Sequence, residues 1–93
     1  MLVNSEGETV KLSPGMEIKY VSRTRTISIN DRNGERLFWH NGADDKKFCC
    51  IRGRVDFMVI AEMIADTHGL YVALVKGYPE DTLVYRFTAQ IRR

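Results

Sequence analysis

Only one stretch of this chain carries a helical period. In VDFMVIAEMIADTHG, the residues Phe57, Ile60, Ala61, Ile64, Ala65 and His68 recur at i, i+3 and i+4. Gly69 follows where a helix commonly stops in the left-handed conformation. Gly53 and Asp56 both suit a helix start. Glu62 and Asp66 mark the expected solvent side, and Met58 and Met63 read as core filler. This predicts one main helix over about residues 55–68. A single helix can cover only one face of the strands around it. The expected fold class is therefore α+β: a mostly antiparallel sheet of about five to seven strands, with the helix packed on one face.

The strands are read from alternation. TISINDRNGERLFWH is the clearest hairpin, because Asp31-Arg32-Asn33-Gly34 suits a type I turn closed by a left-handed glycine. Its register sets Ile29 opposite Leu37 and Ile27 opposite Trp39. Those four apolar side chains then share one face, and Thr26, Ser28, Phe38 and His40 share the other. LYVALVK and TLVYRFTAQI form a second hairpin around Gly77–Thr82, with Leu70, Val72, Leu74, Leu83, Tyr85, Phe87, Ala89 and Ile91 facing the core. ETVKL and MEIKYVS are expected strands that turn at Ser13-Pro14-Gly15. KKFCCIR, from Lys46 to Arg52, is the expected partner of the strand ending at His40.

The chain has 93 residues, 44% of them hydrophobic and 28% charged. This is an ordinary globular balance. One compact domain spanning 1–93 is expected, burying roughly two-thirds of the unfolded surface. MLVNSEGETV has no basic start and no apolar run, so a signal peptide is not expected. No stretch has the length of a membrane span. Two cysteines without export features suggest a reducing, cytoplasmic setting. The net charge of +2 is not the strongly basic footprint of a general nucleic-acid binder. Positive charge clusters only locally, at Lys46, Lys47, Arg52 and Arg54 and at Lys19, Arg23 and Arg25.

Each catalytic pattern fails on spacing. Cys49 and Cys50 are adjacent, and neighbours on a strand point to opposite faces, so their sulfurs diverge where zinc needs them to converge. The same geometry disfavours a disulfide between them. Cys50 has basic neighbours that would favour its thiolate, but no oxyanion hole is marked and His40 falls nearer Lys46 than Cys50. Asp44-Asp45 and Glu80-Asp81 sit in turns, which rarely push two carboxylates apart in acidity. No glycine-rich phosphate loop is present. No enzyme activity, metal or cofactor is expected.

What remains is the second face of the sheet. The expected register gathers Arg36, Phe38, His40, Lys46, Phe48 and Arg52 there. Aromatics ringed by Arg and Lys suit a protein interface. They also suit a single-stranded nucleic-acid platform, where rings stack on bases and cations hold phosphates. In a third arrangement the N-terminal strands fold over this face and bury Phe38 and Phe48 as a second small core. The expected function is a small, soluble, non-enzymatic binding or regulatory module that docks on a macromolecule. A protein partner or self-association comes first, nucleic acid is the alternative, and no membrane partner is expected.

Overall fold

The structure, a computed structural model, describes residues 7–41 and 54–90. Its elements are β1 (Glu17–Val21), β2 (Thr26–Asn30), β3 (Arg36–Asn41), α1 (Arg54–Thr67), β4 (Leu70–Val75) and β5 (Thr82–Ala89). They form a five-stranded sheet in the order β3-β2-β1-β5-β4. Every neighbouring pair is antiparallel. With α1 lying over β4 and β5, this is the expected α+β fold. Glu8–Leu12 is not a strand, apart from a single bridge at Thr9. Lys46–Arg52 lies outside the described residues.

The core sits between α1 and one face of the sheet. Phe57, Ala61 and Ala65 fall at i, i+4 and i+8 and are at most 1% exposed. Two alanines let the helix approach the strands closely, while Phe57 fills the space at its first turns. Its ring lies 5.4 Å from that of Tyr20 and 5.7 Å from that of Tyr85. Ile18 and Tyr20 of β1, Ile27 and Ile29 of β2, and Tyr85 and Phe87 of β5 complete the buried face. Val10 is buried in the same cluster, with Leu12 and Met16 packed against it. The N-terminal apolar residues thus join the helix-side core. At the end of α1, the His68 and Gly69 N–H groups donate to Ala65 O and Asp66 O, both at 3.0 Å. Gly69 has φ of +69°, as a left-handed stop requires.

The β2–β3 hairpin begins as expected and then departs. The Gly34 N–H donates to Asp31 O (3.0 Å) and the Asp31 N–H to Glu35 O (2.8 Å). Gly34 has φ of +84°. This turn places Asn30 opposite Arg36. One step further the register shifts, and Ile29 pairs with Phe38, Ser28 with Trp39 and Ile27 with His40. Leu37 is the extra residue of a β-bulge, which turns every later side chain of β3 to the other face. The uninterrupted register, with Ile29 opposite Leu37 and Ile27 opposite Trp39, is therefore corrected. The bulge has a packing consequence. Phe38 is buried at 8% exposure and Leu37 still packs on the core, while Trp39 stays 49% exposed. A regular strand would seat only alternate residues.

The turn itself rests on Asp31. Its carboxylate Oδ1 accepts the N–H groups of Asn33 (2.9 Å) and Glu35 (2.8 Å). Asp31→Ala removes both acceptors, and we expect a loss of roughly 1–2 kcal/mol at this exposed site. Urea melts of the two proteins check it. An unchanged midpoint would show that the backbone bonds hold the loop alone.

Candidate functional site

Two surfaces stand out, and neither coincides with the one read from alternation. The first is the sheet face opposite α1. The strand registers lay side chains across it in rows: Trp39, Ser28, Lys19, Val84 and Val75 in one, and Arg36, Asn30, Glu17, Arg86 and Ala73 in the next. Val84 and Ser28 are buried here at 1% and 7% exposure, flanked by the longer cross-strand neighbours of their row. Trp39 is the exposed aromatic at the β3 end. The Arg36 guanidinium lies 5.8 Å from the centre of its ring, within cation–π reach. Arg86 is engaged otherwise: its Nε and Nη2 donate to Glu17 Oε2 at 3.1 and 2.9 Å.

Of the residues singled out from sequence, Arg36 stands exposed on this face. Phe38 does not: its burial in the helix-side core corrects the expectation that it belongs to an accessible face, and the bulge at Leu37 is the reason. His40 lies in β3 opposite Ile27. Lys46, Phe48 and Arg52, and with them Cys49 and Cys50, lie outside the described residues. The basic residues at positions 19–25 do not form one patch. Lys19 is on the sheet face, Arg25 is in the β1–β2 turn with φ of +54°, and Arg23 Nε lies 3.7 Å from Asp81 Oδ2.

The second surface is the side of the molecule formed by α1 and β4. Among the described residues seven large hydrophobic side chains are exposed. Five of them lie here: Val55, Val59 and Met63 on α1, Leu74 on β4, and Tyr78 in the loop that follows; Tyr71 has the parity of Ala73 and projects from the helix-free face at the β4 edge. Val55, Val59 and Met63 follow one another at i, i+4 and i+8, which places them in a line on one side of the helix. Phe57, Ala61 and Ala65 occupy the opposite side. Met63 is 64% exposed, so its reading as core filler is corrected, whereas Met58 does pack on the core. Glu62 and Asp66 are exposed beside the line. They also border a shallow cleft with Ala65, Leu70 and Tyr71. The signal in the sequence was that Val55, Val59 and Met63 are apolar at i, i+4 and i+8, outside the stripe of Phe57, Ala61 and Ala65.

The carboxylates of Glu62 and Asp66 share one exposed helix side, and among the described residues no histidine or cysteine lines that cleft. Among the described residues no three of His, Cys, Asp and Glu are gathered as a metal would need. None of the described helices is long and apolar enough to cross a membrane. Comparison with protein-family models, with curated proteins and with solved structures finds no match for this chain.

Proposed function

We propose that this chain is a non-enzymatic binding module that docks on another protein through the outward side of α1. The observation that carries the reading is the line Val55, Val59 and Met63, exposed at 67, 44 and 64%. Apolar residues at i, i+4 and i+8 are the anchors with which a helix enters a hydrophobic groove. Burying three such side chains offers roughly 1.5–3 kcal/mol for each one fully desolvated, before the costs of association. Glu62 and Asp66 flank the line, so a groove with a basic rim fits and an acidic one is rejected.

A second reading has its own observation. Arg36 over Trp39, with Lys19 two strands away in the same row beyond Ser28, is a stacking ring with two cations on a sheet face. That set suits single-stranded nucleic acid. Among the described residues it is one ring rather than a series, and Glu17 lies on the same face, which weakens it.

The two readings separate in a capture experiment on the full chain with Val59→Asp/Met63→Asp and Trp39→Ala variants. A protein bound by wild type and by Trp39→Ala, retained after nuclease treatment and lost by at least tenfold in the α1 variant, supports docking through the helix. Capture unaffected by the α1 charges would overturn it. Binding lost in Trp39→Ala, and weakening steeply with salt, would move the function to the sheet face. Because both α1 positions are exposed, the variant should melt within about 0.5 kcal/mol of wild type.

A further inference from the structure

Among the described residues the sheet ends on β3 and on β4, and these two outer strands are built differently. β3 carries Arg36 and a bulge, two devices that protect an edge from unwanted pairing. β4 has neither. Leu70–Val75 reads LYVALV, with no charge, no proline and an unbroken register against β5. None of the described residues pairs with its other side.

Which peptide groups face that open side follows from β5. The Phe87 N–H donates to Met16 O at 2.8 Å, and Phe87 O accepts from the Gly15 N–H at 2.8 Å. The Phe87 peptide groups are thus turned toward the β1 side. In an antiparallel sheet successive residues alternate in this respect, so Arg86 and Thr88 address β4 through Ala73 and Tyr71, their partners in register. The N–H and C=O groups of Leu70, Val72 and Leu74 then point outward at the edge.

We infer that β4 pairs with β4 of a second copy, in antiparallel register about a two-fold axis at Val72, joining two five-stranded sheets into one. Val72 then meets the partner copy's Val72, and Leu70 meets the partner copy's Leu74. All three outward peptides of each chain find partners in this register. It also matches side chains: Tyr71 lies opposite the small Ala73 on one face, and Leu74, 47% exposed in the single chain, meets Leu70 on the other. Charge agrees as well. Glu62 and Asp66 flank the Leu70 end of the edge. Arg54 and Lys76 flank the Leu74 end, with Glu80 beside them. Antiparallel pairing sets the acidic end of each copy against the net basic end of the other. A two-fold axis repeats that match, so the assembly closes as a dimer. The pairing surface is the β4 edge, not the α1 line of the proposed function, although Glu62 and Asp66 border both; the exchange of the Leu70, Val72 and Leu74 amides reads the edge alone.

The test uses the full chain, in sedimentation equilibrium and in amide hydrogen exchange read by NMR over a concentration series. The expected mass rises toward twice the chain mass of 10.7 kDa. The amides of Leu70, Val72 and Leu74 should gain at least tenfold protection as the dimer forms, while those of Tyr71, Ala73 and Val75 stay protected throughout. Two charge reversals, Glu62→Lys/Asp66→Lys and Arg54→Glu/Lys76→Glu, should each associate at least fivefold more weakly alone. Mixed together, they should recover a one-to-one dimer, because each supplies the charge the other lacks. If one reversal fails to fold, the exchange pattern of wild type still decides. A monomer at every concentration up to about 1 mM overturns the inference. So does a dimer in which the Leu70, Val72 and Leu74 amides still exchange freely, or a monomer in which they are already protected.

Discussion

Phe57→Ala should lose roughly 3–5 kcal/mol of stability, a large share of the roughly 5–15 kcal/mol that holds a domain folded. Phe57 is fully buried and touches three elements at once. It belongs to α1 and its ring lies against Tyr20 of β1 and Tyr85 of β5. The site cannot collapse around a methyl group, because its helical neighbours in the core are already the small Ala61 and Ala65. A urea melt should show the midpoint falling with the slope unchanged. A loss under about 1 kcal/mol would mean that α1 is not seated on β1 and β5 through this ring.

The second large effect is a contrast between adjacent residues. Phe38→Ala should cost roughly 3–5 kcal/mol, as a large ring removed from a core. Trp39→Ala should cost about 1 kcal/mol or less, since half of the indole is already in water and a surface change has little to undo. The contrast is the signature of the bulge at Leu37. An uninterrupted strand would reverse it, burying Trp39 with Ile27 and leaving Phe38 outside. Melts of the two variants side by side therefore read the register of β3 directly. They also decide which ring is available to a ligand on the helix-free face, where Arg36 lies over Trp39.

That contrast marks where local pattern stopped being informative. Asp31-Arg32-Asn33-Gly34 specified its turn, and the observed hydrogen bonds match it down to the left-handed glycine. The pairing of Asn30 with Arg36 followed from the turn. The shift one residue later did not, because a bulge leaves no mark in alternation: Leu37, Phe38 and Trp39 are all apolar, and any of them could face inward. The surface built on Arg36, Phe38 and His40 failed at Phe38 for that reason, while Arg36 remained exposed. The line on α1 is a different matter. Val55, Val59 and Met63 were legible at i, i+4 and i+8, but a methionine fills a core as readily as it meets a partner. Only the position of α1 over β4 and β5 shows which side of the helix the core has used.

By itself the sequence determined what short-range physics controls. The helical period made the helix from Arg54 to Thr67. Alternation and turn chemistry made the β2–β3 and β4–β5 hairpins, and Gly69 ended the helix. These follow because the deciding contacts lie within a few residues of one another. The tertiary structure alone decided that β5 enters between β1 and β4, joining Ile18 to Tyr85 and Glu17 to Arg86 across most of the chain. It decided that β4 is an outer strand among the described residues, with the peptides of Leu70, Val72 and Leu74 turned away from β5, and that Phe38 goes in and Trp39 out. Those outcomes depend on how strands distant in sequence compete for one apolar layer. Such a competition is settled by the packing of the whole chain, and no local stretch encodes its result.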